Sequence, residues 1–564
     1  MNRKITQLRN KLTKAGAFML CLAGLQAEAQ ETVTVYDGVL FYDGYATFLT
    51  DAELYEPIPT DIHRFTNAKY SKKLSDEQLD AIGNTLQLNI TLEAACDNYD
   101  RLGHISLAFV PKGSETYVQA EVQRIEMARI ITPFMNKNVS PSNVPYTFKL
   151  DNVASILSDT ALREEYDMWL EVELFGTTSA GQTQIPGCSG RKDTFRATIE
   201  FETTEDPSII YENELFFKPV LGKVNFNNYN ATDVPGETTK LINFTLDTEV
   251  QNLKLFLITS NHGANENGEE YIRRQHYVYL NNNLIYAYAP GGKSCEPYRQ
   301  FNTQGNGIYN ATVKPQRGWI YWNNWCPGDK IPVHEVDLGT LPAGTYTVKV
   351  DVPDAVFNAG QGNFPISAYL ENRGSGNTAM CAMPYQLTGT SPASGINANW
   401  NQLGNIDEWE VLYGKIYNAQ GQTTNAVLAE ENYATFSGDS QGLITENLSS
   451  QEVYQIFVRS KCSEEVNSPW SLPYYRQTTV LALSQNAITP FMYYPNPVEN
   501  NLFLVAGDRE MSNVSVYDMN GRLVMQKELS GVDAMVNMEN LTTGVYLLKV
   551  TVEGETQTYK FQKK

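Results

Sequence analysis

Short runs in which apolar and polar residues alternate constrain this chain most. They include Leu86 to Leu92, Ile105 to Val110, Trp169 to Phe175 and Phe195 to Phe201. A second set follows at Leu241 to Leu246, Leu253 to Thr259, His276 to Leu280 and Tyr346 to Val350. A period of two puts one set of side chains on a buried face and the other on the opposite face, which is the pattern of a strand. Many such runs separated by turns predict an all-β chain of sandwiches. Two sandwiches in a row, joined near Glu205-Asp206-Pro207, can pack side by side and leave a cleft between them.

At 564 residues the chain is too long for one core, so roughly three to five domains are expected. The 33 tyrosines and 39 glycines favour strands and turns over helices. A formal charge of -21, with no basic cluster, argues against nucleic acid as a partner. The N-terminus reads as an export signal: Lys4, Arg9, Lys11 and Lys14 precede the apolar run Ala15 to Ala27, and Ala27 and Ala29 suit cleavage near Gln30. No other segment is long and apolar enough to cross a membrane. Of seven cysteines, Cys21 lies in the signal. The other six suggest disulfides in an exported protein. Domain limits predict Cys96–Cys188, Cys295–Cys326 and Cys381–Cys462. The five histidines are scattered and no CxxC spacing occurs, so no metal site and no cofactor are expected.

In order, residues 1–29 are expected to be the signal peptide and 30–78 a small N-terminal accessory module. That module ends with a short helix, Ser75 to Ile82, with Ser75 as its N-cap. The two middle domains are expected at 79–207 and 208–374. Residues 375–482 resemble a fibronectin type III domain: Trp400, then Trp409-Glu410-Val411-Leu412-Tyr413-Gly414, then Tyr454-Gln455-Ile456-Phe457-Val458-Arg459. The resemblance implies a spacer or binding module, read here as a spacer. Residues 490–564 open with Tyr494-Pro495-Asn496-Pro497 and carry Asn520-Gly521 between strand-like runs, a strong hairpin signal. They resemble the C-terminal sorting domain of type IX secretion in Bacteroidetes. That implies export through the periplasm, contact with the type IX machinery, and a location outside the cell or on the outer-membrane surface.

Chemistry gathers in four places. Cys96-Asp97-Asn98-Tyr99-Asp100-Arg101 packs two carboxylates, a ring and a guanidinium into one turn. The bland reading of this turn is an acidic loop pinned by a disulfide. In Trp169-Leu170-Glu171-Val172-Glu173-Leu174-Phe175 the two glutamates share a face, usually a solvated one. The loop from Asn261 to Tyr271 collects His262, Glu269 and Glu270. Beyond it, Trp319, Trp322 and Trp325 are crowded beside Cys326 and suggest an aromatic surface for sugar rings.

Residues of about 80 to 372 resemble the peptide N-glycosidase F family, secreted amidases that remove N-linked glycans from asparagine. The resemblance rests on Tyr99-Asp100-Arg101, Arg129-Ile130-Ile131-Thr132-Pro133, Glu173 with Phe175, Glu270-Tyr271 with His276 and Asn281-Asn282, and Trp325-Cys326-Pro327-Gly328. It implies two tandem eight-stranded jelly rolls with the active site between them and an N-linked glycoprotein or glycopeptide as substrate. It further implies Asp100, Glu270 and Glu173 as catalytic carboxylates, with Tyr99, Arg101, Phe175, His262, Tyr271, Trp322 and Trp325 around the substrate. An arginine that pairs with the loop glutamate in the family is replaced here by Trp322-Asn323-Asn324, leaving Arg273, Arg274 or Arg317 as possible substitutes. The alternatives are a non-catalytic glycan- or glycoprotein-binding protein on the same scaffold, and a glycosidase using Asp100 and Glu270.

Overall fold

The computed structural model describes residues 30–225, 239–263, 269–321, 323–355, 362, 364–377, 380–417, 427–479 and 491–564. The signal-peptide segment and Trp322 lie outside the described residues. The fold is all-β, and among the described residues the helices are short. It divides into two compact units. One takes the described residues up to Thr388 together with Ala398–Gly442 and Tyr454–Tyr475; the other takes Gly389–Asn397, Leu443–Val453 and Arg476–Lys564.

The first sandwich has nine strands: β1 (Glu31–Tyr42), β2 (Ile62–Arg64), β3 (Lys69–Lys73), β4 (Thr85–Ala94), β5 (Leu102–Pro111), β6 (Gln123–Ile131), β7 (Asn143–Lys149), β8 (Tyr166–Leu174) and β9 (Asp193–Thr204). They form sheets in the orders β1-β9-β4-β7 and β6-β5-β8-β3-β2. Setting aside the edge strand β2, this is jelly-roll topology with eight strands. Alternation drives it: in β4, Leu86, Leu88, Ile90 and Leu92 are buried and their neighbours are not.

Residues 30–78, expected as a separate accessory module, instead supply the first two jelly-roll strands. β1 pairs along β9, and β3 pairs with β8. Val33, Val35, Tyr36, Val39 and Phe41 enter the same core as Leu88, Ile90 and Phe201. The signal was obscured because β1 shifts register around Tyr36 and again before Val39, with Gly38 at a φ of 56°. A bulge of this kind breaks the period of two, so one long strand reads as two short ones. The predicted helix forms over Asp76–Asp80, where Ser75 Oγ accepts from the Gln78 N–H at 3.1 Å. Ser75→Ala is expected to cost about 1 kcal/mol, read as a lower denaturant midpoint for the first sandwich.

The second sandwich contains β10 (Phe217–Asn225), β11 (Thr239–Leu246), β12 (Val250–Thr259), β13 (His276–Leu280), β14 (Asn283–Tyr288), β15 (Lys330–Ile331), β16 (His334–Leu341), β17 (Gly344–Asp351) and β18 (Pro365–Glu371). Its sheets run β10-β18-β12-β16 and β11-β17-β13-β14, again a jelly roll. The short β15 leaves it to pair with β6 of the first sandwich. Every residue of β18 is buried because its sheet has a neighbour on both faces. One face fills the second core. The other carries Phe256 and Tyr369, stacked at 4.7 Å, into the core of the first sandwich.

Charged groups seal this junction. Arg129, fully buried, donates to both oxygens of Glu126 at 2.9 and 2.7 Å, to Ser260 Oγ at 2.8 Å and to the Pro365 carbonyl at 2.8 Å. Glu126 also meets His104 Nδ1 and accepts from Ser367 Oγ, each at 2.6 Å. Burial pushes the Glu126 carboxyl up, but Arg129 and His104 outweigh it and hold it well below the usual carboxylate range.

The three predicted disulfides, Cys96–Cys188, Cys295–Cys326 and Cys381–Cys462, are all formed. The stretch that carries Trp409 and Tyr454, expected as a spacer, does more than separate domains. Leu412, Leu428, Phe457 and Trp470 form one apolar cluster with Ile320, and Tyr321 packs against it. Arg317 donates to the Ala429 carbonyl at 2.9 Å, and Arg273 donates to the carbonyls of Trp470 and Ser471 at 2.7 and 3.0 Å. The loop leading to Trp325 therefore rests on this third β-region. In the C-terminal unit, Met511–Asp518 and Leu523–Glu528 pair as a hairpin about Asn520-Gly521, around a core that includes Val514, Val516, Leu548 and Val550.

Candidate active site

The turn between β4 and β5 is tied down on both sides of Asp100. Cys96 is held by its disulfide and by its N–H to the Asp193 carbonyl at 3.0 Å. The buried Asp97 carboxylate accepts from Arg101 Nε and Nη2 at 2.7 and 3.2 Å, from the Tyr99 N–H at 3.0 Å and from the Thr177 N–H at 2.8 Å. Thr132, from the Arg-x-Ile-Thr-Pro stretch, clamps both flanks of Asp100: its hydroxyl accepts from the Arg101 N–H at 2.7 Å and donates to the Tyr99 carbonyl at 3.0 Å. These bonds fix the backbone around Asp100.

Glu270 arrives from the second sandwich. Its carboxylate accepts from the Gly263 N–H at 2.9 Å, and its backbone is held by Asn324, whose Nδ2 donates to the carbonyls of Glu269 and Glu270, each at 2.7 Å. Burial raises the Glu270 pKa, against the opposing pull of the Gly263 N–H and the Tyr271 hydroxyl. Burial, then the Glu270 charge, pushes Asp100 up to about 7 despite Arg101. Desolvation disfavours an anion, and a second anion nearby disfavours it further.

Both carboxylates line one cleft of about 430 Å³. Tyr99, Arg101, His262, Tyr271 and Trp325 line it too. Tyr99 and Tyr271 are the open faces, 41% and 42% exposed. Trp325 is anchored by its indole N–H to the Asn261 carbonyl at 3.1 Å. His262 bonds Ser260 Oγ at 2.7 Å, and burial lowers its pKa to about 3, so it is neutral. The lining also includes Phe134 and Asn323, which the sequence did not single out.

Two expected residues stand elsewhere. Glu173 lines a second cavity of about 320 Å³ with Lys69, His104, Arg124 and Lys223. Burial pushes its pKa up, but the Lys223 ammonium, 2.8 Å away, outweighs this and lowers it. The face it shares with Glu171 is not the solvated one expected: Glu171 is 2% exposed and paired with Lys69 and Arg124 at 3.0 and 3.1 Å. Phe175 packs edge-on against Tyr45 at 4.8 Å, outside the cleft lining. Trp322 lies outside the described residues. No candidate arginine replaces the missing partner of Glu270: Arg274 pairs with Glu269 at 2.9 Å, Arg273 bonds backbone carbonyls, and Arg317 bonds Ala429. Among the described residues no three His, Cys, Asp or Glu side chains converge as metal ligands.

Two family models match the sequence. Residues 228–371 match the C-terminal domain of peptide-N-glycosidase F, and residues 492–564 match a secretion-system C-terminal sorting domain. The sorting domain marks the chain for the cell surface or for release from the cell. No protein of curated function matches. Two solved crystal forms of PNGF-II are each similar at 19% identity and a TM-score of 0.44, over 61% of this chain. The match spans 65% and 64% of those chains, just under two thirds.

Proposed function

We propose that this chain is a secreted amidase that hydrolyses the bond between an asparagine side chain and the first N-acetylglucosamine of an N-linked glycan. The observation that supports it is the pair Asp100 and Glu270, one from each sandwich, facing a single aromatic-walled cleft and close enough for one charge to raise the other's pKa. The match of residues 228–371 points the same way.

Amides are poor electrophiles and amines poor leaving groups, so a proton must be removed on one side and supplied on the other. A carboxyl group that titrates near neutrality suits this task. In this reading water adds to the side-chain carbonyl carbon, the C–N bond breaks, and aspartate and a glycosylamine are released. Asp100 takes the proton from water and returns it to the departing nitrogen. Glu270, fixed by Gly263, orients the water or the amide. Arg101 is committed to Asp97 and acts by holding the turn, while Tyr99, Tyr271 and Trp325 offer faces to the sugar. Glu173, ion-paired to Lys223 in its own cavity, takes no part in the bond-breaking step.

Glu270→Gln removes the like charge, so the pH–rate transition of Asp100 is expected to move to lower pH. A profile that stays put, or moves up, would contradict the pairing. The competing reading, a glycan-binding protein, is favoured by one observation: no arginine reaches Glu270 among the described residues. Incubating the full chain with an N-glycopeptide separates the readings. An amidase leaves aspartate and free glycan, a glycosidase leaves asparagine, and a binder retains the peptide intact.

A further inference from the structure

We propose that Asn323 is a catalytic residue of this cleft, with its side-chain NH₂ donating to the carbonyl oxygen of the scissile amide. Asn323 lines the cleft and is only 4% exposed. Its Oδ1 accepts from the Asn324 N–H at 2.8 Å. An N–H can face only the oxygen end of a carboxamide, so this bond decides which end is which. The nitrogen end is then the one left over, and Nδ2 is buried without a hydrogen-bond partner among the described residues. Buried donors are almost always bonded, so a bare one on a residue that lines a cleft marks a place for an acceptor, from water in the resting site and from a ligand when one is bound.

The position suits a carbonyl. Asn324, the next residue, is sewn through its own Nδ2 to the carbonyls of Glu269 and Glu270, so Asn323 and Glu270 ride on joined segments of backbone. Behind them Ile320 and Tyr321 are seated on the third β-region. As water adds to the amide, charge collects on the carbonyl oxygen, and a preoriented donor there stabilises the transition state more than the ground state. A neutral amide supplies this donor where no arginine does.

The inference rests on the amidase reading for its chemistry, and its test separates the two. Asn323→Asp keeps the acceptor for Asn324 and replaces the donor by a lone pair; Asn323→Ala removes both. Each full-length variant is assayed on a labelled N-glycopeptide at its own pH optimum, with a thermal melt alongside. Asn323→Asp puts a carboxylate into a buried position of the cleft that holds Asp100 and Glu270, so it is expected to melt below the wild type, and to lose about 100- to 1000-fold in kcat, with KM changed by less than about threefold. A kcat within about twofold of wild type, or a loss confined to KM, overturns the proposal. If Asn323→Asp does not fold, Asn323→Ala decides by the same criteria. If the wild type cleaves nothing, the amidase reading fails and affinity for the intact glycopeptide decides the role of Asn323. Binding about tenfold weaker in Asn323→Asp then supports a donor to the ligand, and equal binding overturns it.

Discussion

Asp100→Asn is expected to reduce turnover of an N-glycopeptide by about 100- to 10,000-fold while leaving the fold intact. The variant carries a second signature. Asp100 is pushed from its usual range up to about 7, so the folded state holds its proton more tightly than the unfolded state does. A carboxyl group raised in this way costs stability once it must ionise. The cost is absent below the unfolded pKa, grows from about pH 4 to about pH 7, and is constant above that. Asparagine stays neutral throughout. Asp100→Asn should therefore nearly equal the wild type in stability near pH 4 and exceed it by on the order of 4 kcal/mol at pH 8. Melting curves across that range check the sign. A variant that is less stable at pH 8 would mean that the carboxylate supports the fold and is not held under stress for chemistry.

The largest loss of stability is expected at the junction of the sandwiches. Arg129→Met leaves the Glu126 carboxylate buried with only His104 and Ser367 beside it. Breaking a buried pair by removing one partner costs about 3 to 5 kcal/mol, because the remaining charge is uncompensated. Glu126 is held below its usual range in the folded wild type, so the pair's contribution is present above the unfolded pKa and fades as pH falls through the folded one. The penalty of Arg129→Met should accordingly shrink in acid. Adding Glu126→Gln should recover much of the loss at neutral pH, since the stranded charge is gone. Activity should follow stability here, because β6 and β18 set how the two halves of the cleft face each other. Denaturant midpoints for the single and double variants test this; a double variant no better than Arg129→Met would contradict it.

How much was legible in advance depended on whether a feature was local. Alternation in β4, β8 and β9 announced the sandwiches, and Ser75 announced its helix, because each signal lies within a few residues. β1 was misread for a local reason as well, since the bulge at Gly38 breaks the pattern that marks a strand. The composition of the cleft was readable as residue types in Tyr99-Asp100-Arg101 and Glu270-Tyr271. Its partners were not. Nothing in Trp169 to Phe175 says that Lys223, on an edge strand of the other sandwich, will hold Glu173. Likewise nothing in Asn323-Asn324 says that one amide will sew the Glu270 loop and the other line the cleft with a buried nitrogen that has no partner among the described residues. Such contacts join residues far apart in the chain and are set by packing, not by pattern. The third β-region, read as a spacer, belongs with them: its support of the loop before Trp325 is visible only once Ile320 and Trp470 meet.

Hydrolysis of a defined N-glycopeptide by the full chain in water labelled with heavy oxygen tests the central claim most directly. If water is activated beside Asp100 and attacks the side-chain carbonyl, the new aspartate carries one heavy oxygen and the released sugar is free as its amine. Asp100→Asn should then abolish the labelled product. An intact asparagine with the label on the sugar would mean attack at the anomeric carbon, and would contradict the amidase account.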